Sequence, residues 1–251
     1  MHSANSVRVE IAAHSVESAL AAQAGGADRV ELFSNPLEGG VTPSEGLIVG
    51  ARKAVNIALH VMIRPRGGDF HYSHHEFEIM RTDIAAAKRL GANGIVLGLV
   101  SLDGTVDFAR TREFVELARP LSVTFHRAFD VCRDVRRALD DLISCAVDRV
   151  LTSGGEANAL TGIPALAELV RMAKSKIGIV AAGGITSENV QQIVRQTGVQ
   201  EIHAGLRSTF VSPMRFRNEK IRFGVASESE YQRLVVTEEH VRKLVTKVGE
   251  L

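Results

Sequence analysis

Short apolar runs alternate with longer amphipathic segments along almost the whole chain. Runs of this length are typical of buried strands, whereas apolar residues at every third or fourth position are typical of helices. The predicted strands cover residues 7–11, 29–33, 58–64, 94–100, 122–128, 149–153, 177–183 and 201–207. The clearest helical segments between them cover residues 16–24, 77–90, 135–145 and 187–196. Strands that alternate with helices predict a parallel sheet.

A weak internal repeat indicates how that sheet is organised. Segments at residues 25–31, 91–96, 145–151 and 198–203 each combine a helix end, a small or polar turn and the start of a strand. They recur about every 50 to 65 residues, the spacing of two strand–helix units. They also precede every second predicted strand. We therefore predict an α/β fold, a single-domain TIM (β/α)8 barrel over residues 1–251, with an open doubly wound sheet as the alternative.

Two further segments carry local signals. Thr42-Pro43-Ser44-Glu45 has the pattern of a capping box with proline at the first helical position, which predicts the start of the second helix. Residues 212–233 are irregular and precede the last predicted helix, residues 238–247. This stretch is too long for a plain connection, so we expect it to cover the barrel mouth or to form an interface.

Composition argues against several classes of partner. The net charge is +1 over 251 residues, and Lys and Arg are spread along the chain, so we expect no nucleic-acid partner and no membrane partner. With only two cysteines, Cys132 and Cys145, the sequence predicts a reduced compartment. Residues 1–6 are polar, and no apolar stretch approaches the roughly 20 residues that span a bilayer. We therefore expect a cytoplasmic protein.

The inward positions of the predicted strands are unusually polar. In a barrel strand every second side chain points inward, and most barrel interiors are filled by Val, Ile and Leu. A slip of one residue would turn these side chains outward, so the prediction depends on the register. The polar inward positions are Glu10, Glu31, His60, Arg64, Thr124, His126, Ser153, His203 and Arg207.

The carboxylates and imidazoles of this set have the chemistry of general acids and bases. The predicted catalytic residues are Glu10, Glu31, His60, His126 and His203. The alternative is a structural salt-bridge network in which the two glutamates pair with Arg8, Arg29 or Arg149, because buried charges need partners.

Arginines and glycines near the strand ends indicate an anion site. Arg64 and Arg66 flank a proline after the third predicted strand, and guanidinium forks bind carboxylate or phosphate. Gly183 and Gly184 end the seventh predicted strand where a helix should begin, and backbone N–H groups there can hold an anion. A plain turn or tight packing would also explain the glycines. The predicted anion-binding residues are Arg64, Arg66, Asp69, Arg127, Ser153, Gly183, Gly184 and Arg207.

Several longer motifs are similar to those of a known family. The most specific are Ile63-Arg64-Pro65-Arg66-Gly67-Gly68-Asp69-Phe70 and Thr124-Phe125-His126-Arg127-Ala128-Phe129-Asp130. Together with residues 25–32, 38–44, 149–154, 183–186 and 214–218, they resemble the CutC family over nearly the whole chain. The resemblance implies a cytosolic TIM barrel that self-associates, as a homodimer or homotetramer. It also implies a role in copper homeostasis, with Cu(I) bound through cysteine.

The chain departs from this family at two positions. Family members often carry cysteine after the Glu-Ile of the first strand and after the Glu-Leu of the second, where this chain has Ala12 and Phe33. Soft Cu(I) prefers thiolate and thioether ligands, so these replacements remove two copper ligands. Cys132, which matches a cysteine of some relatives, is the remaining candidate metal ligand. Copper is implied as a cofactor by the resemblance alone.

Three functional hypotheses follow. The first is a copper-homeostasis protein that binds Cu(I). The second is an enzyme that acts by acid/base chemistry on a small anionic substrate bearing phosphate or carboxylate, held by the arginines and the Gly183-Gly184 turn. The third is a non-catalytic scaffold. In the first two, the partner is a metal or small-molecule ligand at the barrel mouth. The fold does not choose among them, because barrels host many chemistries.

Overall fold

The structure, a computed structural model, describes residues 7–218, 220–221, 223 and 230–251, so the predicted polar N-terminus lies outside the described residues. Its parallel strands are β1 (Arg8–Ala13), β2 (Arg29–Leu32), β3 (Ala58–Met62), β4 (Gly94–Leu97), β5 (Ser122–Phe125), β6 (Arg149–Thr152), β7 (Gly178–Ala181) and β8 (Glu201–Ala204). They pair in sequence order, and β1 pairs with β8 to close the barrel. This closure confirms the predicted (β/α)8 barrel and excludes the open sheet.

Helices connect successive strands and pack around the barrel. They are α1 (Val16–Ala24), α2 (Glu45–Ala54), α3 (His74–Arg89), α4 (Phe108–Ala118), α5 (Val135–Ser144), α6 (Ile163–Ala173), α7 (Val190–Thr197) and α8 (Glu238–Gly249). In the described part of the chain, none of them is both long enough and apolar enough to cross a membrane.

The main core lies between the barrel and its helices. Alternate strand positions carry fully buried apolar side chains such as Ile11, Leu32 and Leu59. These belong to one continuous cluster with helix residues such as Phe114 and Leu142. Since alternate strand residues point to opposite faces, the polar positions between them face the barrel interior. A smaller apolar cluster lies on the inner face near the mouth, and it consists of Ala12, Phe33, Met62 and Val96.

The start of α2 differs from the prediction. Ser44 is the N-cap, and its hydroxyl accepts a hydrogen bond from the backbone N–H of Leu47 at 3.2 Å. The hydroxyl of Thr42 instead accepts from the backbone N–H of Arg64 at 2.9 Å, which ties this loop to the end of β3. The predicted capping box at Thr42 is therefore wrong.

Two paired strands after the barrel flank the segment that the sequence predicts to be irregular, residues 212–233. The eighth barrel strand ends at Ala204, and β9 (Arg207–Val211) pairs antiparallel with β10 (Gln232–Val236). The predicted irregular stretch begins just after β9, and part of it lies outside the described residues. Phe210 and Phe216 in this region are 40% and 77% exposed.

Candidate functional site

A cavity of about 740 Å³ opens at the carboxyl end of the strands, and we call it the mouth cavity. Strand ends, the loops that follow them and two residues of α8 line it. From the predicted set it includes Glu31, Arg64, His126, Arg127, Gly183, Gly184, His203 and Arg207. Sequence reasoning did not single out Glu38, Phe70, Glu188 and Lys243, which also line it.

Glu10 and His60 lie deeper in the barrel than predicted for a mouth site. They stand two positions before Ala12 and Met62, which line the cavity. The His60 ring packs against Gly94, where a Cβ would lie only 2.6 Å from the ring. Burial lowers the pKa of His60 to about 4, so the ring is neutral at pH 7. Its position does not support the predicted catalytic role.

A buried ion network occupies the barrel interior beneath the mouth. Arg29 donates to the carboxylate of Glu10 through Nε, and to Oε2 of Glu201 through Nη2 at 2.7 Å. The Nε of Arg149 donates to the same Glu201 oxygen at 2.9 Å. Glu10 therefore pairs with Arg29, as the alternative of a structural salt-bridge network predicts for this residue. The sequence analysis missed Glu201, since only the pairing of β8 with β1 brings it to these arginines.

His203 lies between two carboxyl groups whose pKa values are shifted in opposite directions. Its Nδ1 is 2.7 Å from Oε1 of Glu10, and its Nε2 is 3.7 Å from Oε2 of Glu31. Burial raises the pKa of Glu10, but the charges of Arg29 and His203 outweigh this and hold that pKa well below its usual range. Glu10 is therefore a fixed anion that orients the imidazole.

The surroundings of Glu31 and His203 raise the pKa of both groups. Burial raises the pKa of Glu31 to about 7, with the Glu10 charge adding to the effect. Burial lowers the pKa of His203, but the charge of Glu31 and the hydrogen bond to Glu10 outweigh this and raise it. Glu31 can therefore take up and release a proton near pH 7, as a general acid or base must, and His203 lies beside it as a second proton-carrying group.

The same three residues have ligand atoms within 4.8 Å of one another, which is close enough to consider a metal site. However, Glu10 already accepts from Arg29 and contacts His203. Burial also favours the protonated form of Glu31, which binds metals poorly. We interpret Glu31 and His203 as the proton-carrying members of this cluster and Glu10 as the fixed anion beside them.

His126 presents a neutral donor. Its Nδ1 accepts from the backbone N–H of Ala128 at 3.0 Å, so the ring proton is on Nε2. Burial, with a further contribution from Arg64, lowers the pKa of His126 to about 3. The Phe70 ring lies against both side chains, with 4.9 Å between the ring centroids of Phe70 and His126 and 4.9 Å from its centroid to the Arg64 guanidinium carbon.

Arg64 is fixed by main-chain carbonyl groups. Its Nη1 donates to the carbonyls of Glu38 and Gly40 at 2.8 Å, and its Nη2 donates to that of Gly68 at 2.7 Å. No carboxylate pairs with it among the described residues. A buried, unneutralised guanidinium on the cavity wall favours anionic ligands.

Arg66 and Asp69 do not join this wall. The Arg66 guanidinium donates to Glu76 at 2.5 Å and to Asp69 at 3.0 Å, and neither Arg66 nor Asp69 lines the mouth cavity. The positions of Arg66 and Asp69 therefore do not support their predicted place in an anion clamp at the mouth. The reason is Glu76 in the first turn of α3, a carboxylate ten residues further on that competes for the guanidinium.

Arg127 and Ser153 are organised by a residue that the sequence analysis did not assign a role. The carboxylate of Asp130 accepts from Arg127 Nε at 2.7 Å and from the Ser153 hydroxyl at 3.0 Å. Ser153 is completely buried and does not line the cavity. Asp130 ends the Thr124–Asp130 motif, and this position was the available signal for its importance.

The Gly183-Gly184 turn lines the cavity with φ angles of +97° and +69°, which favour glycine. It does not lead directly into a helix as predicted, because α7 begins only at Val190. Lys243 on the same wall pairs with Glu188 at 2.7 Å. The turn therefore offers backbone groups to a ligand without a helix N-terminus behind them.

The thiols lie away from the cavity. The sulfur of Cys132 donates to the carbonyl of Ala128 at 3.5 Å, and burial raises the pKa of this thiol to about 11. Burial has the same effect on Cys145. Both cysteines are free, and neither lines the mouth cavity. The position of Cys132 does not support its predicted role as a metal ligand at the mouth.

Comparison with known proteins gives a consistent result. A model of the CutC family matches residues 7–208. The "Copper homeostasis protein cutC homolog" of Homo sapiens is 45% identical over 242 residues, which cover 96% of this chain and 89% of that protein. A "family protein CutC" of Bacteroides fragilis is 44% identical over 241 residues, covering 95% and 96%.

Solved structures agree with the sequence comparison. A crystal structure named for the copper homeostasis protein CutC of Streptococcus agalactiae matches with a TM-score of 0.75 and 33% identity, over 78% of this chain and 97% of that one. Thiamine phosphate pyrophosphorylase from Pyrococcus furiosus matches at 15% identity with a TM-score of 0.58, over 98% and 97% of the two chains. The second similarity concerns the fold alone.

Proposed function

Since the chain belongs to the CutC family, we propose that it takes part in copper homeostasis, the role named for its human relative. We further propose that it acts in the cytoplasm as a homodimer or homotetramer. The exposed apolar side chains of Phe210, Val211, Met214 and Phe216 after the barrel support self-association.

The residues present do not fit a Cu(I)–thiolate site at the mouth. Ala12 and Phe33 stand at the two positions where the family resemblance leads us to expect cysteine, and Ala12 lines the cavity. Among the described residues that line it, the thioether of Met62 is the only sulfur group. A single thioether is a weak Cu(I) site compared with two thiolates. The proposed role therefore does not include storage of copper on cysteine.

We expect reduced protein to release Cu(I) completely to a chromophoric Cu(I) chelator, and Cys132→Ser to behave like the unmodified chain. The physical reason is that the buried Cys132 thiol is held in its protonated form. Anaerobic competition titration measures this. Retention of about one Cu(I) per chain at affinities beyond the picomolar range, lost in Cys132→Ser, would contradict the expectation.

One observation favours a second candidate function, an enzyme that uses acid/base chemistry on a small anionic substrate. The observation is the Glu31–His203 pair, in which a carboxyl with a pKa of about 7 faces an imidazole across 3.7 Å on the wall of the mouth cavity. Such pairing of perturbed groups in a cleft is typical of catalytic sites. No comparable observation supports the scaffold hypothesis.

Each residue of the cluster has a separate role in this candidate function. Glu10, held by Arg29, fixes the imidazole of His203 so that Nε2 faces Glu31. Glu31 and His203 move protons at the substrate. Arg64 and Arg207 supply positive charge to an anionic group, and neither forms a carboxylate pair among the described residues.

Hydrogen exchange at carbon tests this candidate without knowledge of the product. We expect the chain to catalyse replacement of carbon-bound hydrogen by deuterium in one or more small oxo- and hydroxy-acids in D2O, because a general base beside an anion site lowers the barrier to proton removal. Proton NMR follows the loss of the signal. Absence of exchange above the buffer rate in every acid of such a set would contradict the proposal.

A further inference from the structure

Two N–H groups beside the mouth cavity lack hydrogen-bond partners. They are His126 Nε2 and Arg64 Nε, both shielded from solvent and without a hydrogen bond of normal geometry among the described residues. The buried Tyr72 hydroxyl interacts with the Arg64 side chain, so His126 Nε2 is the less compensated of the two. Both His126 and Arg64 line the cavity, and both residues are only 5% exposed. Native proteins satisfy nearly all buried donors, and a donor that even water cannot reach costs stability. A pair of such donors in one wall points to an acceptor that arrives with a ligand.

Phe70 contacts both of these donor-bearing groups. The Arg64 guanidinium lies over the face of its ring, and the His126 ring is tilted against it at an angle of 53°. An aromatic face is a weak acceptor for N–H groups and a moderate partner for a cation. The ring therefore partly compensates the two donors, but less well than an oxygen atom would.

Because its backbone is held, Phe70 can move by rotation of its side chain. Its carbonyl accepts from the backbone N–H of Val100 at 2.9 Å. The carbonyls of Gly68 and His71 accept from Arg64 and Arg66. The ring is half-buried, whereas the side chains that it covers are buried. Phe70 is thus an aromatic side chain in contact with both donor-bearing groups on the cavity lining.

We propose that Phe70 is a displaceable cover over an oxyanion site formed by His126 Nε2–H and Arg64 Nε–H, and that this site takes a small organic carboxylate. The Nη atoms of Arg64 are engaged by three carbonyl groups, so its fork is not available to a phosphate group. One positive charge and two N–H donors match a carboxylate monoanion. The proposal deepens the acid/base candidate function and rests on it for the placement of Glu31 and His203 on the same cavity, but binding requires no turnover.

The test uses pyruvate as the carboxylate probe and inorganic phosphate as the comparison, with NMR detection of histidine side-chain 15N. His126→Asn removes the donor at Nε2, while its Oδ1 can still accept from the N–H of Ala128 and keep the local fold. His126→Gln restores an amide N–H near the Nε2 position. Phe70→Leu keeps most of the side-chain volume but removes the aromatic face.

We expect pyruvate to shift the His126 Nε2 resonance and to bind about tenfold more weakly to His126→Asn, the loss of one hydrogen bond to a charged group. His126→Gln should recover most of that loss, and Phe70→Leu should bind severalfold more tightly than the unmodified chain. Phosphate should bind more weakly than pyruvate to all four proteins.

Three outcomes would overturn the proposal. They are equal pyruvate affinity in the unmodified chain and His126→Asn, tighter binding of phosphate than of pyruvate, and no binding of pyruvate to Phe70→Leu up to about 50 mM. If exchange at carbon still depends on Glu31, any of these results removes the oxyanion site and leaves the acid/base function in place. Pyruvate binding that depends on His126, with no exchange in any acid, would support the oxyanion site and contradict the acid/base function.

Discussion

Replacement of Arg29 by methionine is expected to lower the free energy of unfolding by about 3–5 kcal/mol, the usual cost of removing one partner from a buried ion network. The Arg29 side chain is 6% exposed and pairs with Glu10 and Glu201, which are 1% and 12% exposed. Methionine nearly fills the volume but leaves two buried carboxylates with less compensation. Both must then take up protons or draw in water.

Urea denaturation at pH 7 measures this change, and Arg112→Met provides the matched control. Arg112 pairs with Glu116 on the surface of α4, where the two side chains are 61% and 66% exposed. Solvent screening limits such a pair to less than about 1 kcal/mol. If both variants lose the same small amount, the interior network does not stabilise the barrel and the assignment of Glu10 as a fixed anion fails with it.

The network and the mouth cavity divide the polar interior into two layers with different roles. Arg29, Arg149 and Glu201 stand at the first positions of their strands. Arg29 pairs with Glu10 and Glu201, and Glu201 also pairs with Arg149 and, at 3.9 Å, with Arg8. Glu31 and His203 stand further along and line the cavity. Glu10 connects the layers, because it accepts from Arg29 below and from His203 above.

The sequence predicts the barrel and the inward positions because both depend on local patterns. Apolar residues such as Val30 and Leu32 alternate with Arg29 and Glu31, and burial of the apolar pair against the helices turns the polar pair inward. No distant contact is needed for this inference. The same alternation of apolar and polar positions recurs in β1, β3, β5 and β8, whereas β4 and β7 carry no polar side chain.

The sequence does not predict which charged groups pair, because that depends on register across the barrel. Arg29 lies in the same strand as Glu31, yet the pairing of β1 with β2 places it opposite Glu10. The sequence analysis placed Arg66 at the mouth, but its guanidinium donates to Glu76 at 2.5 Å instead. Which carboxylate pairs with a given arginine depends on distances in the folded chain, and the spacing of residues along the sequence does not give these distances.

Replacement of Glu31 by glutamine is expected to reduce any exchange at carbon by a factor of about 100 to 10,000, the usual contribution of a general base. In the unmodified chain the rate should rise between pH 5 and pH 8, because Glu31 acts as a base only when it has lost its proton and its pKa is about 7. The pKa of His203 should fall in Glu31→Gln, since the carboxylate charge that raises it is gone. Proton NMR of exchange and histidine titration measure both effects.

The free energy of unfolding of Glu31→Gln shows whether a loss of exchange is a catalytic effect or a result of misfolding. Because the pKa of Glu31 is raised on folding, its protonated form favours the folded state, and this contribution is lost as the pH rises from 4.5 through about 7. Glutamine resembles the protonated form, so Glu31→Gln should be at least as stable as the unmodified chain at pH 8. Glu188→Gln, at an exposed carboxylate on the same cavity wall, should retain both the exchange rate and its pH profile. Equal loss of exchange in the two variants would assign the effect to the net charge of the cavity and not to a base at Glu31.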